Sequence, residues 1–447
     1  MISQMEKKNM KTTLKPGDIE SIAGIAQVIA GSSAESRLIT TSGRQPIHTV
    51  YGGAHLFRAD IVQKFRDQSL GSLKEYAPTA ASFARALELG GSTGFQNKIY
   101  QRVVDKLHRE PVEDYRIDFE DGFGTRPDEE EDLQAVRVAG ELGKAMAAEV
   151  VPPVIGLRVK PITMQYVGRA SRTLDLFLTH LLEQTGNRLP ANFVVTLPKI
   201  DSAKQIVALV KLLEILEARF FLPPGILKLE MMFETPQMFT DILPFALDLS
   251  RGRCTAVHFG PYDLTASLHI TSSHQRLDHP VCDLSRALIQ LSLAGTGVFL
   301  SDGPTNLIPV GPFRESMNKR LTPRQRLINR RAVHDAWKVS FRNISRALEQ
   351  GYYQGWDLHP AQLPVRYAAT YAFFLTEVEQ MSLRLKSFLE AGSGLSSGQA
   401  LFDDAATGRG LVNFFQKGFH CGALTTSDLN VAGLSGSLGE MITKSEG

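Results

Sequence analysis

The amino-acid sequence predicts an α/β protein: a (β/α)₈ TIM barrel with an N-terminal extension and a C-terminal helical lid segment. Eight apolar, β-prone runs follow one another along the chain, and segments whose apolar residues recur every three or four positions separate them. Strands that alternate with helices in this order pair in parallel, and about eight of them close into a barrel. Several of the runs end at charged residues, and barrels build their sites at the carboxyl ends of their strands.

The predicted strands set the domain organisation. They lie at 46–54, 115–121, 154–161, 193–200, 226–235, 254–263, 296–304 and 351–360. The barrel domain therefore spans 46–365, after an N-terminal extension at 1–45. From 366 to 447 a long helical pattern is followed by Gly/Ser-rich stretches, which we interpret as a C-terminal lid and oligomerisation segment.

Composition excludes several classes of protein. The 447 residues include 49 basic and 47 acidic side chains, for a net charge of +2, so no footprint for nucleic acid or an anionic membrane is visible. No apolar run reaches the ~18 residues of a membrane span, and the polar start has no secretory signal. Three scattered cysteines exclude a disulfide framework and fit a reducing compartment. We expect a cytoplasmic protein with a small-molecule partner.

Two acids follow neighbouring strands. LKLEMMFETPQ, residues 227–237, stops at Glu234, and CTAVHFGPYDLTASL, residues 254–268, stops at Asp263. Carboxylates at the ends of successive parallel strands are close enough to share one cation. A hard ion such as Mg²⁺ takes oxygen ligands and usually only one or two carboxylates. The alternative is that each acid caps the helix that follows it.

Other charged residues end the remaining strands, and we expect them to face the same mouth of the barrel. They are Arg116, Asp118, Glu120, Asp121, Arg158, Lys160, Lys199, Asp302, Asp357 and His359. For most of them the alternative is an ion pair that joins a strand to a helix. Arg158 lies in the apolar run VIGLRVKP, and its planar fork suits a carboxylate. Lys199 is a candidate Schiff-base amine, against pairing with Asp201 or with an acid of the mouth.

Two further positions invite a functional interpretation. His359, with Pro360 after it, is a candidate substrate contact or general base, against a structural role at a helix entry. The glycines of YGGAH, at 52 and 53, permit close backbone approach to a ligand. The sequence contains no Walker A loop, no dinucleotide GxGxxG and no HExxH.

These motifs, taken together and in order over 46–365, resemble the citrate lyase β-subunit-like branch of the HpcH/HpaI aldolase family, a phosphoenolpyruvate/pyruvate-type TIM barrel superfamily. The matching segments are IDFEDGFGTRPDEEED, LRVKP, TLPKIDSAKQI, MFETPQ, HFGPYDLTASL and WDLHPAQ. The chain departs from the family in its N-terminal extension, in YGGAH where a "LFVPG" turn is usual, and in long helical inserts before strand two and between strands seven and eight.

The resemblance implies roles for individual residues. Glu234 and Asp263 would ligate Mg²⁺, with Mn²⁺ as an alternative, and Arg158 would bind the substrate carboxylate or carbonyl. Asp118, Glu120 and Lys199 would lie beside the metal and take part in catalysis. Gly260, Pro261 and His359 would contact substrate. The family's C-terminal lid aspartate, which reaches a neighbouring subunit, corresponds to Asp403 or Asp404 of GQALFDDAATGRG; we assign Asp403 and expect a homo-oligomer.

The leading hypothesis is a Mg²⁺-dependent carbon–carbon lyase, or aldolase. It would cleave a small 3-hydroxy acid, free or as a CoA thioester, through an enolate stabilised by the metal. Glu120, the lid aspartate or a water on the metal would accept the hydroxyl proton. Three alternatives stay open: a malate-synthase-like Claisen condensation with thioester hydrolysis, Schiff-base chemistry at Lys199, and a non-catalytic barrel that binds a carboxylate or a CoA ligand.

Overall fold

The structure is a computed structural model that describes residues 44–315, 320–392 and 405–431. Its centre is a closed barrel of eight parallel strands, in which each strand pairs with the next and β8 pairs with β1. The strands are β1 His48–Gly53, β2 Asp114–Asp118, β3 Val154–Arg158, β4 Phe193–Leu197, β5 Lys228–Phe233, β6 Cys254–Phe259, β7 Phe299–Asp302 and β8 Gln354–Asp357. All eight predicted strands are therefore present, in the predicted order, and the TIM-barrel fold is confirmed.

Helices surround the barrel. The α-helices are α1 Ile61–Tyr76, α2 Ala80–Leu87, α3 Thr93–Arg109, α4 Asp128–Ala147, α5 Val167–Thr185, α6 Ala203–Arg219, α7 Ala246–Leu249, α8 Pro261–Ser267, α9 Pro280–Leu293, α10 Pro323–Glu349, α11 Leu363–Gly392, α12 Ala405–His420 and α13 Thr426–Val431. Short 3₁₀ helices occupy Ala54–Leu56, Leu243–Phe245, Ser272–His274 and Pro360–Gln362, and a π-helix covers Met238–Ile242. In the described part of the chain every helix is too short or too polar to cross a lipid bilayer.

Strand alternation separates an apolar outer layer from a polar interior. Ile117, Leu157 and Val257 are fully buried in the main hydrophobic core, which they form with the surrounding helices. The residues that alternate with these along the same strands, such as Arg116 next to Ile117 and Arg158 next to Leu157, point into the barrel instead. The barrel interior is therefore where charged side chains of the strands meet.

A buried polar network fills the lower interior. Arg116 forms ion pairs with Asp114 and Glu230, and its Nε donates to Glu230 at 2.9 Å and to Thr196 Oγ1 at 3.1 Å. The Nε2 atom of His258 lies 3.0 Å from Glu230 Oε2. The charge of Arg116 is therefore compensated by Asp114 and Glu230 inside the barrel, as a buried charge requires. The prediction that Arg116 faces the mouth is wrong.

The C-terminal part begins with α11, as the helical pattern from about 366 predicts. Arg366 and Tyr367 of this helix reach back to the barrel, and the aromatic rings of Phe374 and Phe414 join α11 to α12 with centroids 5.1 Å apart. The predicted N-terminal extension, except for its last two residues, lies outside the described residues.

Candidate active site

The two strand-end acids meet at the carboxyl ends of β5 and β6. Glu234 follows β5 directly, and Asp263 lies in the first turn of α8, after β6. The two carboxyl groups are close enough for each to affect the pKa of the other, and Glu234 Oε1 accepts a hydrogen bond from the backbone N–H of Lys199 at 2.6 Å. A Cβ atom on Gly260 would lie 2.5 Å from the Cβ and Oε2 atoms of Glu234. Glycine is therefore needed at position 260 to admit the Glu234 side chain.

Electrostatics at this pair favour a bound cation or a shared proton. Burial and the neighbouring Asp263 carboxylate raise the pKa of Glu234 to about 8. Burial also raises the pKa of Asp263. Two adjacent carboxylates in a buried site resist simultaneous ionisation, because each charge loses hydration and repels the other. A divalent cation between them would remove both penalties.

The donor set fits magnesium as the resemblance implies. Among the described residues no group of three or more His, Cys, Asp or Glu side chains is arranged to hold a metal. Mg²⁺, however, commonly binds through one or two carboxylates and leaves its other positions to water and substrate. Glu234 and Asp263 are the residues that would hold it.

Arg158, the last residue of β3, is close enough to Glu234 and Asp263 for its charge to oppose the rise in their pKa values. Its Nε donates to Asp118 Oδ1 at 2.8 Å, and its Nη1 lies 3.2 Å from Glu120 Oε2. Burial opposes the charge, but Asp118 and then Glu120 raise the pKa of the guanidinium well above its usual value. The planar fork is therefore a fixed positive charge at the mouth.

Asp118 positions Arg158 and is not free to act on a ligand. Its two carboxylate oxygens accept two hydrogen bonds from Arg158, one from the backbone N–H of Glu120 at 2.8 Å and one from that of Gly122 at 2.7 Å. These four donors use the acceptor capacity of a carboxylate. We therefore assign Asp118 a positioning role within the predicted catalytic set.

Lys199 pairs with acids of the mouth, as the alternative to a Schiff base predicted. Its Nζ donates to Glu120 Oε1 at 2.5 Å and to Asp121 Oδ1 at 2.7 Å, whereas the structure shows no such bond to Asp201. Burial alone would lower the pKa of Lys199, but hydrogen bonds to Asp121 and Glu120 raise it above its usual value. A lysine held protonated in this way is a poor nucleophile.

Three charged strand-end residues do not face the mouth. Lys160 contacts Glu131 of α4 at 2.8 Å, Asp302 contacts Arg286 of α9 at 3.1 Å, and Asp357 forms a bidentate pair with Arg366 of α11. The prediction that they face the mouth is wrong. Asp302 and Asp357 are the last residues of their strands and point outward by strand alternation, whereas Lys160 lies beyond the end of β3, where that alternation no longer holds. They join the strands to the outer layer as buried ion pairs.

The other predicted site residues follow β6 and β8 or belong to the predicted lid. Pro261 is the first residue of α8, after Gly260. His359 caps the 3₁₀ helix Pro360–Gln362: its Nδ1 accepts from the backbone N–H of Ala361 at 3.1 Å. That contact is the structural role that the sequence left open for His359. Asp403 and Asp404 lie outside the described residues.

Sequence reasoning missed two aromatic residues of the site. Tyr51 of β1 and Trp356 of β8 point into the barrel, and both rings pack on the Arg158 guanidinium, with its Cζ 4.9 and 5.5 Å from the ring centroids. The alternation of side chains along β1 is a signal that could have identified Tyr51, which lies two residues before Gly53.

Several solved structures of other proteins are similar to this chain. A citrate lyase from Burkholderia xenovorans LB400 is 18% identical, with a TM-score of 0.55, and the match covers 87% of this chain and 97% of that one. A malate synthase from Haloferax volcanii, as a lead(II) complex, is 14% identical over 84% of this chain and 91% of its own, with a TM-score of 0.46. At 18% identity, the likeness to the citrate lyase shows the fold alone.

A third solved structure is the protein CitE from Mycobacterium tuberculosis in complex with magnesium, acetoacetate and coenzyme A. It is 13% identical, with a TM-score of 0.45, over 86% of this chain and 99% of that one. No curated protein matches the sequence. One family model, whose description is "Domain of unknown function (DUF6986)", matches residues 39–443. Because that match covers nearly the whole chain, the protein belongs to the DUF6986 family.

Proposed function

We propose that this protein is a Mg²⁺-dependent carbon–carbon lyase that cleaves a small 3-hydroxy acid, free or as a CoA thioester. The observation that carries the proposal is the pair of interacting strand-end carboxyl groups, Glu234 and Asp263, within reach of the charge of the buried Arg158. A buried acid pair at the catalytic face of a barrel is costly unless a cation or a proton joins it. The fold that the chain shares with a citrate lyase supports this choice of chemistry.

Cleavage of a 3-hydroxy acid needs a base and a place for negative charge. The base removes the hydroxyl proton, the hydroxyl carbon becomes a carbonyl carbon, and the adjacent carbon–carbon bond breaks. Its electron pair passes to the other fragment, which becomes an enolate. Bound Mg²⁺ would supply Lewis-acid stabilisation of the developing charge.

Glu120 is the base that the contacts favour. It is buried, and burial raises its pKa even though Arg158 and Lys199 oppose that rise. A higher pKa makes a carboxylate a better proton acceptor near neutral pH. Glu120 forms ion pairs with Lys199 and Arg158, which fix the position of its carboxylate. The carboxylate would therefore accept the substrate's hydroxyl proton from a fixed position.

Arg158 contributes charge without changing protonation. Its guanidinium stays positive throughout the reaction, because the neighbouring carboxylates raise its pKa. A fixed cation near the site where an enolate or carboxylate forms stabilises it without reorganisation. Arg158 would therefore orient the acid end of the substrate and stabilise the transition state.

The first test is the melting temperature with Mg²⁺, with oxalate as an enolate mimic, and with both. A ligand that binds only the folded state raises the melting temperature. We expect a rise that needs both ligands, that is lost in Glu234→Ala, and that is kept in Glu129→Ala, which removes an exposed acid on α4.

Turnover is tested next. Free 3-hydroxy acids and hydroxyacyl-CoA thioesters are screened for release of a carbonyl product, with and without a chelator. No melting shift under any combination of ligands would overturn the metal–enolate proposal. Turnover that persists in excess chelator would do the same.

A further inference from the structure

A cavity of about 520 Å³ lies at the amino-terminal end of the barrel, on the face opposite the mouth. Its walls include Gln45 before β1, Val298 before β7 and Tyr353 directly before β8. Phe374 of α11 and Lys417 of α12 also line it. Because the acid pair follows the carboxyl ends of its strands, this cavity is separate from the candidate active site.

Lys417 is the cation of this cavity. Among the described residues that line it, Lys417 is the only lysine or arginine, and none is an aspartate or a glutamate. Its Nζ donates to Gln45 Oε1 at 2.8 Å and lies 4.9 Å from the centroid of the Tyr353 ring. Both of these partners are neutral, and an ammonium group has three N–H donors. Lys417 can therefore still donate to an anion.

Lys106 shows how the chain compensates a buried lysine elsewhere. Its Nζ lies 2.6 Å from Glu113 Oε1 and also forms an ion pair with Glu110. Burial lowers the pKa of Lys417, as expected for an ammonium group that loses hydration without gaining a carboxylate partner. An anion in the cavity would supply the missing partner and stabilise the charge.

The lining selects a monoanion with an apolar body. Burial and then the charge of Lys417 lower the pKa of His420, which lines the same cavity, so its imidazole is neutral at neutral pH. The described lining therefore carries one positive charge, which a single carboxylate balances. Ile47 and Phe374 supply apolar wall, and Gln416 supplies an amide. The volume is within the roughly 300–1,000 Å³ of pockets that bind small molecules.

We propose that this cavity is a binding site for a small monocarboxylic acid with an apolar body, whose carboxylate pairs with Lys417. The carboxylate would accept from an Nζ–H group that Gln45 does not use, and the apolar body would lie against Ile47 and Phe374. Such a ligand would join α12 to the amino-terminal ends of the strands. The inference is independent of the proposed function, because it concerns the opposite face of the barrel.

The test is calorimetric titration of the whole protein with benzoate, in the presence of a chelator and without added Mg²⁺. Benzamide, which has the same ring and nearly the same shape but no charge, is the matched ligand. We expect benzoate to bind at least about tenfold more tightly than benzamide, and Lys417→Met to remove that preference. Lys204→Met, which removes an exposed lysine of α6, should leave benzoate binding unchanged.

Limited acetylation with acetic anhydride, read by mass spectrometry, locates the bound benzoate on the wild-type protein. At ten times its dissociation constant, benzoate leaves about a tenth of the sites empty, so acetylation of Lys417 should slow about tenfold. Acetylation of Lys204 should not change, and benzamide at the same concentration should slow acetylation of Lys417 by no more than about twofold. This measurement needs no variant, so it decides the matter even if Lys417→Met does not fold.

Three results would overturn the inference: no binding of benzoate, equal affinity for benzoate and benzamide, or acetylation of Lys417 that benzoate does not slow. Benzoate held by Arg158 at the mouth would leave Lys417 unprotected and would give the third result. The metal–enolate proposal is unaffected by any of them, because no Mg²⁺ is present in the experiment.

Discussion

Replacing Glu234 by glutamine should remove a pH dependence of stability that the wild-type protein carries when no metal is bound. Burial and Asp263 raise the pKa of Glu234 from 4.5 to about 8. The folded state therefore binds this proton more tightly than the unfolded state does. The resulting stability is fully present below pH 4.5 and is lost as the pH rises toward 8.

The size of the effect follows from the two pKa values. One pKa unit corresponds to about 1.4 kcal/mol, so between pH 5 and 8.5 the free energy of unfolding should fall by about 4 kcal/mol. That is a large share of the roughly 5–15 kcal/mol that stabilise a typical domain. Glutamine has the shape of the protonated acid but cannot ionise, so the variant should not show this fall.

The assay is urea unfolding at a series of pH values in the presence of a chelator. Glu217→Gln is the control, because Glu217 is also a buried glutamate. Burial opposes its ionisation, but Arg253 and the N–H groups of Gly225 and Leu227 hold the pKa of Glu217 below its usual value. The control should be less stable than wild type by a constant amount from pH 5 to 8.5.

Magnesium extends the experiment. At about one hundred times its dissociation constant, a ligand of the folded state adds about 2.7 kcal/mol, and this gain should appear at pH 8.5 in wild type and not in Glu234→Gln. Curves for wild type and Glu234→Gln that run parallel across the pH range would refute the argument. They would mean that Glu234 ionises freely and is not part of a buried acid pair.

Three further predictions concern single residues. Pyruvate with borohydride should leave no adduct on Lys199 by mass spectrometry, because hydrogen bonds from its Nζ to Asp121 and Glu120 keep it protonated; a trapped adduct would restore the Schiff-base hypothesis. Gly260→Ala should weaken Mg²⁺-dependent oxalate binding by at least about tenfold, because its Cβ overlaps Glu234. Gly71→Ala, which meets no atom within 4 Å, should leave that binding unchanged, and equal effects of the two would contradict the overlap. Asp302→Asn should cost about 2 kcal/mol of stability, measured by urea unfolding, because the buried Arg286 loses one of its two carboxylate partners and keeps Asp283. A tenfold loss of oxalate affinity would place Asp302 in the site.

The barrel and its acid pair could be predicted from the sequence because both depend on local patterns. Each strand is an apolar run of a few residues between helical segments. This alternation of strand and helix patterns is still recognisable where long inserts interrupt it. Glu234 and Asp263 could be predicted to meet because the carboxyl ends of neighbouring parallel strands converge on one face. Arg158 was identifiable as an unexpected charge within an apolar strand.

Which charged residues point inward required the tertiary structure. Lys160 and Asp302 lie at strand ends like Glu234, yet each pairs with a residue of an outer helix, Glu131 and Arg286. The direction of a side chain within a strand reverses with a shift of one residue, and a residue just beyond the strand, such as Lys160, no longer follows the alternation. The sequence predicts strand ends only to within a few positions.

The arrangement around Arg158 shows the same limit. Its charge and its strand follow from the sequence alone. Its partners Asp118, Tyr51 and Trp356 come from β2, β1 and β8, and only closure of the barrel brings β8 beside β1. The sequence determined the strands and the types of side chain at their ends. Folding decided which of those side chains compensate one another and which remain available to a ligand, because that depends on contacts between residues far apart in the sequence, such as Thr49 and Gln354.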